Sequence, residues 1–272
     1  MPQLPPKTYL FTGSKPGNTS VILAGVHGDE RAGIIALEQL LSDFRIKRGK
    51  VFVIFGNPAA IQLGVRQVEE NLNRCFLPNQ TGTSLEARRA QELLPILDQS
   101  SAVLDLHATH STASIPFIIV AGAGLPLARQ LNFPILSTGW NILEPGGTDG
   151  YMASQGKIGI CAECGSMNDE GRGVQIAMQT ITDFLILRGH REGVSSKSTP
   201  KRIVEVQQKV CRQTNDFRFR KNFADFERLP AGEAFAWDGP RTFIAQPEQC
   251  IIFARPGNAP GDQVFILGAE RA

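Results

Sequence analysis

Short apolar segments alternate with helical patterns over roughly the first 190 residues, and this alternation constrains the fold more than any other feature. Several of the apolar segments are apolar on consecutive residues, which is typical of strands covered on both faces of a sheet. The pattern predicts an α/β layer architecture. The predicted strands are residues 20–26, 50–55, 101–106, 115–121, 133–136 and 157–162, and the predicted helices are residues 30–44, 85–97 and 173–187.

The sequence changes character after Gly189. Residues 193–200 are small, polar and unfavourable for a helix, which is typical of a linker. Short alternating stretches follow, separated by Pro-Gly and Asp-Gly turns, and they predict a small all-β region. We therefore predict a large domain at residues 1–192, a linker at 193–200 and a small β-rich domain at 201–272.

Composition and charge limit the class of partner and the compartment. The 28 Lys and Arg residues nearly balance the 26 Asp and Glu residues, which argues against nucleic acid as the main partner. No apolar run approaches the roughly 18 residues that a membrane span requires. Five scattered cysteines and an N-terminus without a secretory pattern predict a cytoplasmic protein. A homo-oligomer is left open.

The first candidate chemical segment follows the strand at residues 20–26. His27 and Glu30 lie at a strand-to-helix turn, where Gly25 and Gly28 allow tight bending. An imidazole nitrogen and a carboxylate oxygen are a normal pair of zinc ligands. The alternative is that His27 is a turn residue and that Glu30 complements the helix dipole.

A second histidine ends another predicted strand. His107 follows residues 101–106, so it is expected at the sheet edge where ligands bind in open α/β folds. Two histidines and a carboxylate are the composition of a catalytic zinc site. Asp105 could hold the His107 ring from behind or be a simple strand-end carboxylate, and both interpretations stay open. We predict that His190 is a surface residue and that His110 lies in an exposed loop, with a place in the pocket as its alternative.

Two further segments carry candidate catalytic groups. Glu163 follows an apolar run, where partial desolvation would raise its pKa toward a useful value for a general base. Its alternative is a carboxylate that merely ends the strand. Arg66 and Arg74 flank a polar stretch, and each could hold a carboxylate or an oxyanion, although a surface salt bridge is the usual role of an arginine.

The ordered set of motifs resembles the succinylglutamate desuccinylase/aspartoacylase family of the zinc carboxypeptidase-like superfamily. The resemblance covers most of residues 20–190, and the β-rich tail is similar to the small C-terminal domain of that family. It implies a mixed, largely parallel sheet flanked by helices. The matching segments are Gly25-Val26-His27-Gly28-Asp29-Glu30, Arg66, Asn73-Arg74, Asp105-Leu106-His107 and Glu163-Cys164-Gly165.

The resemblance also implies a metal and a reaction. His27, Glu30 and His107 would bind one Zn²⁺, and Glu163 would act as general base and acid. The reaction implied is hydrolysis of the amide bond of a small N-acyl amino acid, releasing a carboxylic acid and an amino acid.

Substrate contacts are implied in the same way. Arg66 would polarise the scissile carbonyl, while Asn73 and Arg74 would bind a substrate carboxylate. The further arginine that aspartoacylases place before the catalytic glutamate has no counterpart, and Lys157 is the nearest basic residue. We predict that Tyr151 contacts substrate from a glycine-rich loop, with a hydrophobic hinge as its equal alternative.

Two other functions remain as alternatives. The same metal site could serve a zinc carboxypeptidase or a murein-peptide amidase acting on peptides. A binding module on this fold, with the zinc site lost or purely structural, is the non-enzymatic alternative. The presence of all three ligands, the base and Arg66 argues against that second alternative.

Overall fold

The computed structural model describes residues 4–112, 114–199 and 201–271. The strands are β1 Thr8–Thr12, β2 Lys15–Ala24, β3 Arg48–Phe55, β4 Ala102–Thr109, β5 Phe117–Val120, β6 Ile135–Thr138, β7 Ile158–Ser166, β8 Arg202–Cys211, β9 Phe217–Phe219, β10 Glu227–Arg228, β11 Ala234–Asp238, β12 Arg241–Ile244, β13 Gln249–Ile252 and β14 Gln263–Arg271. The helices are α1 Arg31–Leu41, α2 Pro58–Leu63, α3 Leu85–Asp98, α4 Leu125–Ala128, α5 Trp140–Leu143, α6 Thr148–Ser154 and α7 Glu170–Leu187, with 3-10 turns at Leu72–Arg74, Gly122–Gly124 and Met167–Asp169.

Within the described residues, the main sheet has eleven strands in the order β1-β3-β2-β4-β7-β5-β6-β8-β14-β13-β10. The central pairs β3–β2, β2–β4 and β4–β7 are parallel, whereas β5 runs antiparallel to β7. A second antiparallel sheet, β12-β11-β9, lies in the C-terminal region. The predicted fold class, a mixed and largely parallel sheet with an all-β C-terminal region, is confirmed.

Alternate residues of the central strands pack on opposite faces of the sheet. On β2, Ile22 belongs to a core that includes Phe184 of α7, while Val21 and Leu23 belong to a core that includes Leu93 of α3. Both faces are therefore buried, as the runs of consecutive apolar residues predict. Covered faces leave only the strand ends open to a ligand, which is where the polar residues lie.

All six predicted strands and all three predicted helices are present, but two boundaries differ in a way that matters. Strand β7 continues to Ser166, so Glu163 lies inside the strand rather than after it. Helix α7 begins at Glu170 because the Asp169 side chain accepts a hydrogen bond from the Arg172 N–H at its start. The segments at β1, β9, β10, β11 and β13 and the short helices were not predicted.

The prediction that His190 is a surface residue is wrong. Its ring is fully buried, with Nε2 2.8 Å from Ser20 Oγ and Nδ1 2.9 Å from the Arg48 carbonyl oxygen. The chain folds back after α7 and places His190 against β2 and β3, where both ring nitrogens find partners. His110 is exposed, as predicted, and it also lines the cleft described below.

The C-terminal strands extend the same sheet that carries the central core. Strand β8 pairs in parallel with β6, and β14 pairs antiparallel with β8. A separate core rich in phenylalanine, which includes Phe217, Phe235 and Phe265, joins the small sheet to this edge. Among the described residues, no helix is long and apolar enough to cross a membrane.

Candidate active site

Two imidazoles and one carboxylate converge at the carboxyl ends of β2 and β4. Nδ1 of His27 lies 2.6 Å from Oε1 of Glu30, and Nδ1 of His107 lies 2.9 Å from Oε2 of the same carboxylate. The two rings are 5.1 Å apart between centroids. Gly28 allows the turn because a Cβ there would lie 2.1 Å from the Ala60 carbonyl carbon. The predicted ligands, far apart in sequence, therefore surround one point.

The far nitrogen of each ring faces an oxygen atom. Nε2 of His27 lies 3.0 Å from Oδ1 of Asn71, and Nε2 of His107 lies 3.2 Å from Oδ2 of Asp105. Thr148 donates a 2.6 Å hydrogen bond to the same Asp105 oxygen. Oxygen acceptors at Nε2 favour a proton there, which leaves the Nδ1 lone pairs free to bind a metal. The position of Asp105 agrees with holding the His107 ring rather than only ending a strand.

The electrostatics of this cluster favour a positive charge between the three side chains. Burial raises the pKa of Glu30, but His27 and His107 lower it more strongly, and the net pKa lies well below its usual range. Burial lowers the pKa of His107, but Cys161, Asp105 and Glu30 raise it well above its usual value. Two nitrogen donors and one carboxylate, all buried, fit a zinc ion in both composition and charge.

Glu163 faces the same point from the neighbouring strand. It is the register partner of His107 across the parallel β4–β7 pair, and the ligand atoms of His107, Cys161 and Glu163 all lie within 4.8 Å of one another. Within the described residues, Oε2 of Glu163 has no hydrogen-bond partner. Burial, and to a lesser degree Glu30, raise the pKa of Glu163 to about 8, although His107 and Arg66 oppose the rise. Such a carboxylate can accept a proton near neutral pH.

Arg66 reaches the cluster from the loop after α2. Its Nη1 atom donates a 3.0 Å hydrogen bond to Oε1 of Glu30, and its side chain remains 40% exposed to the cleft. The backbone carbonyl of Arg66 accepts a 3.3 Å hydrogen bond from the Gly28 N–H, which ties this loop to the turn that carries His27. The guanidinium therefore has further donors available for a bound molecule.

A cleft of about 1160 Å³ opens in front of these residues. Asn73 and Arg74 line it, so the structure brings both into the same site as the cluster. The C-terminal region also lines the cleft, through residues that include Lys209 of β8 and Phe253 after β13. A volume of this size accommodates a small organic molecule.

Comparison with known proteins places this constellation in a family. The profile of the succinylglutamate desuccinylase/aspartoacylase catalytic domain matches residues 16–185, more than half of the chain. The chain belongs to the succinylglutamate desuccinylase/aspartoacylase family. The matched region contains both histidines, both glutamates and Arg66. The resemblance inferred from the motifs is therefore confirmed.

Individual relatives are similar to this chain over different lengths. A succinylglutamate desuccinylase from Erwinia tasmaniensis is 27% identical over 283 residues, covering 92% of this chain and 84% of that protein. An N-acyl-aromatic-L-amino acid amidohydrolase (carboxylate-forming) from Xenopus tropicalis is 30% identical over 53% of each chain. The crystal structure of a succinylglutamate desuccinylase/aspartoacylase from Rhodobacter sphaeroides superposes with a TM-score of 0.76, at 21% identity, covering 97% of this chain and 89% of that one. That superposition supports the fold.

The structure of this chain corrects one predicted substrate contact, that of Tyr151. Tyr151 does not line the cleft; it is buried on the α3 side of the sheet, and its hydroxyl donates a 2.6 Å hydrogen bond to Oδ1 of Asp98. The glycine-rich loop forms the start of α6, which turns the ring inward. Lys157 also points away from the cleft, because its Nζ donates to the Asp98 carbonyl.

The loop that carries Arg66 is held by Glu86, a buried carboxylate that the motifs did not reveal. Glu86, on α3, accepts hydrogen bonds from the backbone N–H groups of Val68 at 2.7 Å and of Glu69 and Glu70 at 3.2 Å. It also accepts one from Asn57 Nδ2 at 3.0 Å. Burial raises its pKa, but these donors outweigh that effect and the net pKa is lowered. Glu86 is thus an ionised anchor for the loop.

We expect Glu86→Gln to loosen this loop and reduce kcat/KM by about tenfold, since charge-assisted hydrogen bonds contribute about 1.5–3 kcal/mol each when made. The zinc content should remain at the level of the unmodified protein because no predicted metal ligand is changed. Turnover and bound zinc measured on the same sample check both expectations. Glu38→Gln, an exposed change on α1, is the matched control. Unchanged kcat/KM in Glu86→Gln would contradict the anchoring role.

Proposed function

We propose that this chain is a zinc-dependent amidohydrolase that cleaves the amide bond of a small N-acyl amino acid into a carboxylic acid and an amino acid. The family and the amidohydrolase relative support the reaction class. One structural observation carries the proposal most directly. Both oxygens of Glu30 are shared between the Nδ1 atoms of His27 and His107, with Glu163 facing the same cleft.

His27, Glu30 and His107 would hold the zinc ion. Zinc in such a site supplies a Lewis acid that lowers the pKa of a water molecule toward about 7 and polarises a carbonyl group. Asn71 and Asp105 would keep the two imidazoles oriented through their Nε2 atoms.

The remaining steps fall to residues of this chain. Glu163 accepts a proton from the attacking water molecule and returns it to the nitrogen of the leaving amino acid as the C–N bond breaks. Arg66 donates hydrogen bonds to the carbonyl oxygen as negative charge develops on it. Asn73 and Arg74 bind the carboxylate of the substrate and place its amide bond between Arg66 and Glu163.

Zinc stoichiometry and a substrate panel test this function. Protein freed of chelators should bind about one zinc per chain, and the loaded protein should hydrolyse N-acetylated amino acids. Removal of zinc should abolish turnover, and re-addition of zinc should restore it. The panel includes C-terminal dipeptides and a murein tripeptide at the same concentration.

Two outcomes would overturn the proposal in favour of its alternatives. Turnover of peptides alone would indicate a carboxypeptidase or a murein-peptide amidase. Failure to bind zinc even after reconstitution, with no turnover, would indicate a binding module. The three predicted ligands are buried together, which is the reason to expect zinc binding.

We also propose a compartment, a domain division and a class of partner for this protein. All five cysteines are free and four are buried, which supports a reducing compartment such as the cytoplasm. We retain the division into residues 1–192, 193–200 and 201–272, because the family match ends at residue 185 and the elements after residue 201 are strands. The partner is a small molecule rather than nucleic acid.

A further inference from the structure

Three charged side chains form a chain of ion pairs across the cleft. Glu144, directly after α5, lies between Arg74 and Lys209 of β8. Its Oε2 accepts a hydrogen bond from Nη2 of Arg74, and its Oε1 lies 3.0 Å from Nζ of Lys209. All three residues line the cleft, and we call them the charge bridge.

The exposure of these side chains differs in a way that bears on binding. The Glu144 side chain is only 12% exposed, whereas those of Arg74 and Lys209 are 37% and 38% exposed. The carboxylate is thus held between the two cations, while both cations keep donors that face the open cleft. Two positive charges and one negative charge give these three side chains together one net positive charge.

That net charge matches a single carboxylate. An N-acyl amino acid always carries its α-carboxylate, which the free donors of Arg74 and Lys209 can bind. A second carboxylate on the substrate side chain would meet the negative charge of Glu144, and like charges brought together in a partly desolvated site oppose binding. Glu144 therefore occupies, from within the protein, the place that a second substrate carboxylate would need.

Apolar side chains beside the charge bridge favour the same kind of substrate. Trp140, four residues before Glu144, packs against Phe253 with ring centroids 5.7 Å apart, and both line the cleft. Phe253 has a positive φ of 54°, and its N–H donates a 2.7 Å hydrogen bond to Oδ1 of Asp225, which supports this uncommon conformation. An uncharged side chain can pack on this wall, but a charged one would lose its hydration there.

We propose that the charge bridge of Arg74, Glu144 and Lys209 selects N-acyl amino acids that have one carboxylate and an uncharged side chain, and disfavours those with a second carboxylate. This inference rests on the amidohydrolase function proposed above. Lys209 and Glu144 are specificity-determining residues in it, and neither takes part in the chemical step.

N-acetylglutamine and N-acetylglutamate are the test pair, because they are nearly equal in shape and differ by one charge. The unmodified protein should prefer N-acetylglutamine in kcat/KM. Glu144→Gln removes the internal negative charge, and the ratio of kcat/KM for N-acetylglutamate over N-acetylglutamine should rise about tenfold or more. N-acetylmethionine, which is apolar, should follow N-acetylglutamine.

Lys209→Met tests whether Lys209 helps to bind the α-carboxylate of the substrate. It leaves Glu144 and Arg74 with no net charge, so KM for N-acetylglutamine should rise about tenfold while kcat changes less than about twofold. Lys47→Met is the matched control, since Lys47 is also paired with a glutamate, Glu192, but lies outside the cleft lining. That control should leave kcat and KM unchanged for both N-acetylglutamine and N-acetylglutamate.

Binding measurements separate failure of this inference from failure of the proposed function. Calorimetry with free glutamine and glutamate, as product analogues, reports the charge preference even in a protein that shows no turnover. A preference of the unmodified protein for the dicarboxylate, or an unchanged preference in Glu144→Gln, would overturn the charge bridge. Turnover of none of the N-acyl amino acids in the panel by zinc-loaded protein would instead overturn the amidohydrolase function.

Discussion

Glu163→Gln should lower kcat by about 10²–10⁴-fold while zinc binding stays at the level of the unmodified protein. The amide of glutamine fills the same space but cannot accept the proton of the attacking water molecule. The predicted metal ligands lie elsewhere, on β4 and on the turn after β2, so the metal site should remain intact. Single-turnover hydrolysis of N-acetylmethionine and zinc content measured on the same samples check both expectations.

The pH dependence adds a second readout for Glu163. Because burial raises the pKa of this carboxyl to about 8 in the metal-free protein, the base form increases as the pH rises, and a bound cation would shift that rise to lower pH. The acidic limb of the kcat profile should therefore disappear in Glu163→Gln. Glu192→Gln, on the exposed surface, serves as control. Full activity of Glu163→Gln with zinc bound would contradict the role of Glu163.

Arg66→Met should lower kcat by about 10²–10³-fold, the usual effect of removing one donor to a developing oxyanion. KM should change much less, because the donor is expected to bind the transition state more strongly than the ground state. The side chain is 40% exposed and hydrogen-bonded to Glu30, so methionine can replace it without opening a buried cavity. Steady-state kinetics with N-acetylmethionine give both constants.

Arg66→Lys separates charge from geometry. Lysine keeps the positive charge but lacks the planar fork, so we expect only partial recovery of kcat relative to Arg66→Met. Arg45→Met, which removes an exposed arginine paired with Asp43, is the control. A large rise in KM with kcat unchanged would show that Arg66 only binds substrate, contrary to the proposed mechanism.

The positions of the predicted metal ligands and of Glu163 could be predicted from sequence because each lies near the carboxyl end of an apolar strand. His27, His107 and Glu163 come from three strands that are neighbours in the sheet, and parallel neighbours carry their carboxyl ends to one edge. The short spacing between His27 and Glu30 then indicated Glu30 as the third predicted ligand. Strand periodicity predicted where these side chains lie, and the resemblance to the family supplied their roles.

The residues that the sequence did not reveal act over long distances in the chain. Asn71 contacts His27 across 44 positions and Glu86 holds a loop 16 to 18 positions away, with no spacing pattern to indicate either contact. Tyr151 and His190 were misplaced for a related reason. A polar ring can be buried wherever tertiary contacts satisfy its polar atoms, and such partners cannot be identified from neighbouring residues.

Strand β8 pairs in parallel with β6, so the C-terminal region is joined to the central sheet and contributes residues to the same cleft. The predicted metal ligands and Glu163 lie within residues 27–163, whereas Lys209 lies on β8 and Phe253 follows β13. Substitutions after residue 201 can change which molecules bind in the cleft without altering the groups proposed to break the amide bond. Substrate preference can therefore change in this architecture through substitutions that leave the proposed reacting groups unaltered.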